Sequence, residues 1–424
     1  MELKSIGAYG TLSKGVGFLE NLPRDWKITA LRTSIYRFFY QMLLPYVSIY
    51  TIALGATGTQ LGMVNGIGMG AAGALGPFTG WLIDRIGTKK IYLAGIGLLA
   101  ISYFFYGVAQ SWPIIIVAVL AYWIGFTIST HGCAVICGNS LPVAGRATAM
   151  SCCETLAAGF LGMISPVLGA WLVSIFGGVN VNGIRPLFFL NLAGTLATFL
   201  LLLTQLSGRK WGSLGGSKPN FFKDLSQVFE QGHNLKRFLV ISAFTFLPQG
   251  MVIPFTHVFA RELKGADQYI LGAMVTAFAV TPFVLGIPLG RLADKIGRKK
   301  VLYLVGPLFW ASNLMLIWAS SPVFLIAAGA LQGFFYINTV VTGAITFELV
   351  PHEQMGRWLG MVRFFRLFPA AGAAYLAGFL WDNLGPQWVF LCSIGLDILI
   401  RIPLLIGMPE TLGPRKRCQE KEER

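Results

Sequence analysis

The sequence predicts an all-α membrane protein with twelve transmembrane helices in two pseudo-symmetric six-helix bundles. Three observations predict it. Of its 424 residues 55% are hydrophobic and 12% charged, with mean hydropathy +0.65, whereas soluble domains carry roughly a quarter charged residues. The apolar residues fall into blocks of about 20, the length that crosses a hydrocarbon core at helical rise. One short basic segment also occurs twice, each time at the end of such a block, so the chain reads as two copies of one membrane unit.

The first copy of that segment is Gly80-x3-Asp84-Arg85-x-Gly87-x-Lys89-Lys90, and the second is Gly290-x3-Asp294-Lys295-x-Gly297-Arg298-Lys299-Lys300. The match extends outward at the same offset: Leu61-Gly62 answers Leu271-Gly272, and Gly76 answers Gly286. Later in each half stand Pro142-x2-Gly145-Arg146-x3-Met150 and Pro351-x4-Gly356-Arg357-x3-Met361.

Taken in order, residues 1–28 read as a cytoplasmic tail that lacks the apolar run and cleavage site of a secretory signal. Residues 29–206 hold six spans, at about 29–53, 59–83, 90–110, 113–139, 147–173 and 185–206. Residues 207–236 form a Gly-, Ser- and Lys-rich linker. Within it Phe221, Phe222, Leu225, Val228 and Phe229 recur at helical spacing, as in a short helix lying on the membrane surface. Residues 237–408 hold spans at about 237–261, 268–291, 300–319, 322–348, 358–381 and 386–408, and 409–424 is a basic tail.

The net charge of +15 sits in the tails and in alternate loops. One side carries the lysines and arginines of both repeats, Arg146, the linker, Arg357 and the tail; the other has Arg185, Arg261 and Lys264. This is the bias of cytoplasmic loops, so both termini are expected inside and nucleic acid is not an expected partner. Equivalent loops share a face, which makes the repeat parallel, with its axis along the membrane normal. The six cysteines (Cys133, Cys137, Cys152, Cys153, Cys392 and Cys418) avoid the outer segments, so no disulfide framework is expected.

Twelve spans, a central loop and two in-register copies of G-x3-D-R/K-x-G-x-R/K-R/K resemble the major facilitator superfamily of secondary transporters over nearly the whole chain. The resemblance implies alternating access around a site near the midplane, with the motif acids latching the cytoplasmic side while the outside is open. Proton-driven exporters of this family carry an arginine in span four and G-P-x2-G-G in span five. Here residues 113–139 contain no arginine, and the second element survives only as Ser165-Pro166-Val-Leu-Gly169-Ala170. The ending Pro409-Glu410-Thr411-Leu412-Gly413 is similar to that of sugar porters.

The motif's chemistry follows from its residues. Gly80 and Gly290 let a helix approach its neighbour, and Gly87 and Gly297 supply turn freedom. Asp84 and Asp294 stand where a carboxylate meets a facing helix N-terminus or a cation such as Arg146 or Arg357. Arg85, Lys295 and Arg298 belong with these residues to the expected gating motif, while Lys89, Lys90, Lys299 and Lys300 are expected to set topology.

In this family spans one, four, seven and ten line the cavity. They offer polar stripes: Arg37, Tyr40 and Gln41; Trp123, Thr127, Thr130 and His131; Ser242, Thr245 and Gln249; Gln332, Tyr336, Asn338 and Thr339. Arg37 lies roughly 15 Å and Glu154 roughly 12 Å into the membrane from the basic side. Glu154 is therefore the expected coupling acid, with Arg37 or His131 as partner. Arg363 and Arg366 share a face of span eleven, and the excess of arginine over acid tilts the substrate toward an anion. The rival role for Arg363 and Arg366 is gating. Asp397 and Arg401, four apart in span twelve, read as an intrahelical pair.

The expectation is a monomeric, proton-coupled secondary transporter of a small polar or anionic solute, in the plasma or inner membrane among lipid. It has no cofactor, no resident metal and no enzymatic site. Alternatives are a drug:proton exporter, a copper or zinc transporter using His131, Cys133 and Cys137, and a sensor that binds solute without moving it.

Overall fold

A computed structural model describes residues 23–139, 159–208, 233–349 and 355–406. Among these residues every regular element is a helix. The first half contains α1 (Arg24–Leu43), α2 (Val47–Ala53), α3 (Gly58–Ile86), α4 (Thr88–Val108), α5 (Trp112–Asn139), α6 (Phe160–Ile175) and α7 (Val181–Gln205). The second contains α8 (His233–Val252), α9 (Thr256–Glu262), α10 (Gln268–Ile296), α11 (Arg298–Trp318), α12 (Pro322–Leu349), α13 (Met355–Asn383) and α14 (Gln387–Leu396). A π-helical turn, Asp397–Arg401, then leads into α15 (Ile402–Ile406). Eight described helical segments are long and apolar enough to cross a membrane, and the chain is an integral membrane protein.

Local chemistry sets the boundaries. α3 opens on a capping box: Thr57 Oγ1 accepts from Gln60 N (3.2 Å), and Gln60 Oε1 accepts from Thr57 N (2.9 Å). α10 opens on Asp267, whose Oδ1 accepts from Ile270 N at 2.8 Å. Both helices end on a glycine of the repeated segment, Gly87 (φ 100°) and Gly297 (φ 107°). A β-carbon disfavours that region, so the turn freedom expected of these two glycines is used. Spans one and seven are broken at Leu44–Tyr46 and Ile253–Phe255, where Pro45 and Pro254 withhold an N–H from the helix ladder.

The duplication reaches individual hydrogen bonds. Ser102 Oγ donates to Ala118 O (2.7 Å), tying α4 to α5, and Ser312 Oγ donates to Ala328 O (2.9 Å), tying α11 to α12. Lys89 Nζ donates to Leu203 O (3.0 Å) and Leu206 O (2.6 Å) at the end of α7. Lys299 Nζ reaches Ile406 O (2.7 Å) at the end of α15. The first lysine of the pair that closes each copy therefore caps the last helix of its own half, where orphan carbonyls favour a cation. That is a structural task beyond the topological role expected of it.

The two halves meet along α3–α13 and α6–α10. In lipid such contacts rely on close van der Waals packing of small residues. A β-carbon on Gly66 would lie 2.7 Å from Ala371 O, and one on Gly76 would lie 3.0 Å from Gly360 O. Gly62 faces Ala374 and Gly378, and Gly58 faces Trp381 and Asp382. α3 and α13 thus run antiparallel with backbones touching from end to end. At Gly290 an added β-carbon meets nothing among the described residues, so the close approach expected there is realised instead at Gly58, Gly62, Gly66 and Gly76.

One apolar core, including Tyr46, Tyr50, Leu61, Phe255, Phe259, Leu271 and Trp381, joins both halves at the end away from the basic repeats. At the basic end the halves keep separate clusters, around Tyr92 and Leu202 in the first and around Val301 and Trp358 in the second.

Candidate functional site

The polar residues expected to line one cavity divide into three groups. On the first-half side, Tyr40 stacks on Tyr36 (centroids 5.7 Å apart) and Tyr122 (6.1 Å), and Tyr122 stacks on Phe126 (6.0 Å). The Tyr36 and Tyr122 hydroxyls are 3.1 Å apart. Arg37 is half-buried and engaged within the structure. Gln41 is buried against Gly162 of α6, between spans one and five.

The second group crosses between the halves. Arg363 of α13 donates through Nη1 to Thr127 O (3.1 Å) and lies 5.8 Å from the Phe126 ring centroid. One turn on from Thr127, His131 is buried with Nδ1 against Thr79 Oγ1 of α3 (2.5 Å). Arg366 turns the other way, lying over Phe246 of α8 (5.6 Å) with its Nε buried and lacking a hydrogen-bond partner. The two span-eleven arginines therefore face opposite halves. Among the described residues neither has a carboxylate partner. Cations held over ring faces and carbonyls in a low-dielectric interior are poised to meet an anion.

The third group lies inside the second half. Thr245 and Gln249 line a small cavity with Phe335, Gly306, Asp397 and Arg401. Gln249 Oε1 has no partner there, whereas Thr245 Oγ1 is satisfied by Ile241 O of its own helix (2.7 Å). Asp397 and Arg401 form the expected pair, with Nε–Oδ1 at 2.5 Å and Nη2–Oδ2 at 2.7 Å. Trp310 Nε1 adds a third bond to Oδ2 at 2.6 Å. Both charges are buried, so the pair is held by mutual attraction and added donors together. The π-helical turn across these residues had no signal in the sequence.

Other expected residues are satisfied elsewhere. Thr130 Oγ1 bonds Phe126 O (2.6 Å) of its own helix. Gln332 Nε2 reaches Thr256 Oγ1 (3.4 Å), and Trp123 packs on Gly68 of α3. Arg85 lies 5.2 Å from the Trp81 ring centroid, while Lys90 and Lys295 are exposed. Glu154, Arg146, Cys152 and Cys153 lie outside the described residues, as do the side chains of Asp84, Asp294, Arg298, Tyr336, Asn338, Arg357 and Cys137. Cys133 Sγ is 3.7 Å from Thr33 Oγ1, and no group of three His, Cys, Asp or Glu that could hold a metal forms among the described residues.

Sequence reasoning passed over Arg32 and Asp382. Arg32 is buried, its guanidinium 4.9 Å from the Tyr36 ring and 5.4 Å from the Tyr92 ring, with Nε and Nη2 lacking hydrogen-bond partners. Its signal was available: an arginine one turn before Tyr36 on the same helical face.

These features define an integral membrane protein made of a duplicated helical unit, with Arg363 reaching from one half to the other. The chain belongs to the Major Facilitator Superfamily, whose family model matches residues 29–265 and 238–423. It is a transporter and not an enzyme. It is 26% identical over 304 residues to the multidrug resistance protein MdtG of Dickeya zeae, covering 67% of this chain and 70% of that one. The corresponding protein of Citrobacter koseri is 28% identical over 305 residues, covering 66% and 70%. Among solved structures, a POT family transporter in complex with 5-aminolevulinic acid superposes with TM-score 0.71 at 13% identity, over 92% of this chain and 99% of that chain. The nucleoside transporter NupG superposes with TM-score 0.68 at 13% identity, over 91% and 99%. The human organic anion transporter MFSD10 gives 0.65 at 15%, over 90% and 99%. At such identities these structures establish the fold alone.

Proposed function

We propose that the chain moves a small polar or anionic solute across the plasma or inner membrane by alternating access. In this reading twelve spans form two six-helix bundles, both termini are cytoplasmic, and protons drive the cycle. The observation that carries the anionic preference is the pair Arg363 and Arg366, which face opposite halves without a described carboxylate partner. A solute anion between them would offer the compensation that a buried guanidinium requires. Glu154 remains the coupling acid, with Arg37 or His131 as partner; Glu154→Gln should stop uphill accumulation while leaving exchange, and unchanged accumulation would refute it.

A second reading, export of lipophilic drugs, is favoured by the names of the MdtG relatives and by the stacked rings of Tyr36, Tyr40, Tyr122 and Phe126. Counterflow in proteoliposomes separates the two. The first expects organic anions to exchange in the wild type and at least tenfold more slowly in Arg366→Gln. Exchange of lipophilic cations alone, indifferent to that substitution, overturns it in favour of the second.

A further inference from the structure

We propose that Asp382 is a latch that holds the outer side of the transporter shut. Its carboxylate crosses from the end of α13 to the beginning of α3. Oδ1 accepts from Gly58 N (3.0 Å), and Oδ2 accepts from Thr59 N (2.7 Å) and Thr59 Oγ1 (2.7 Å). The first turn of α3 is thereby satisfied from two sources. Its own capping box takes Gln60 N, and Asp382 takes the two N–H groups before it. A helix N-terminus presents unpaired donors and a positive dipole end, so an ionised carboxylate is the group it holds best.

The geometry explains why this contact gates rather than merely caps. α3 and α13 are antiparallel helices of 29 residues each, in backbone contact along their length. Each carries an aspartate in its last turns, Asp84 on α3 and Asp382 on α13, and the antiparallel register sets each opposite the start of the other helix. The repeated motif accounts for the first. The second belongs to no repeat, because residues 159–178, the matching end of span five, contain no acid. There the outer seam is closed by neutral contacts: Thr276 Oγ1 to Met163 O (3.1 Å), Gly272 against Pro166 O (2.8 Å for an added β-carbon), and Tyr46 Oη to Gln268 O (3.1 Å). Asp382 is exposed at the rim of this seam. Water can therefore take over its hydrogen bonds as they break, which keeps the contact reversible.

The inference rests on the alternating-access reading, and the experiment is independent of substrate. Hydrogen exchange measured by mass spectrometry on the purified full chain would compare the wild type with Asp382→Asn, Asp382→Ala and Thr59→Val. A latch predicts that loss of the carboxylate speeds exchange at least fivefold across the whole outer seam: the start of α3, residues 266–276 and residues 370–382. Thr59→Val, which removes one of three donors, should fall between. Acceleration confined to residues 57–60 would reduce Asp382 to a local cap and overturn the proposal. Asp382→Glu retains the charge and should stay near the wild type; if it exchanges as fast as Asp382→Ala, the proposal also fails. A protein that shows the seam-wide effect yet no counterflow would retain the latch and lose the transport reading, so the two are distinguishable.

Discussion

Gly66→Ala is the most direct probe of how the two halves are held together. The new β-carbon would lie 2.7 Å from Ala371 O, whereas an ordinary van der Waals contact begins near 3.4 Å. About 0.7 Å must be found, and the obstacle is backbone on a second helix, which no rotamer change can move. Overpacking of this kind costs about 1–3 kcal/mol. The substitution also gains up to about 1 kcal/mol of helix propensity, so an isolated measurement would understate the clash. Gly372→Ala, on α13, removes that ambiguity. It makes the same chemical change in a helix interior where an added β-carbon meets nothing within 4 Å. The expected result is that Gly372→Ala is neutral or slightly stabilising, while Gly66→Ala lies about 1–3 kcal/mol below it. The assay is thermal or denaturant unfolding of purified protein in detergent, followed by tryptophan fluorescence. Equal stability of the two variants would refute close α3–α13 packing as a source of stability.

Lys89→Met should lower stability by about 0.5–1 kcal/mol through the lost α7 cap, while Lys90→Met, at an exposed position, should not. Lys299→Met should reproduce the loss independently in the second half. Asp397→Ala should cost about 3–5 kcal/mol, because it strands a buried guanidinium; most of the protein should then be lost on size exclusion. Replacing both partners with apolar residues, Asp397→Leu with Arg401→Met, should restore much of the yield, and failure to do so would point to a role beyond stability. Gly87→Ala and Gly297→Ala each force a β-carbon into positive φ, at about 1–2 kcal/mol, and equal unfolding midpoints for variants and wild type would contradict the turn geometry.

What could be read from the chain was whatever one helix or one turn decides by itself. The apolar blocks, the turn glycines Gly87 and Gly297, and the four-residue spacing of Asp397 and Arg401 are local; the glycines and the pair stand in the structure as expected, and eight described segments have the length and apolarity of a membrane span. The duplication was equally legible, since one offset relates Gly87 to Gly297 and, as the structure adds, Ser102 to Ser312 and Lys89 to Lys299. Tertiary structure decided everything that depends on which helix faces which. The polar stripes were legible as stripes, yet whether they met at one point was not: Thr130 and Thr245 bond within their own helices, Trp123 packs on Gly68, and Arg363 reaches Thr127 across the halves. Arg366 facing Phe246, Lys89 capping α7 and Asp382 capping α3 join residues far apart in the chain. Helical periodicity names the face a side chain occupies. Only the packing of glycine-lined backbones, which sets how closely and in what register two helices lie, determines what that face meets.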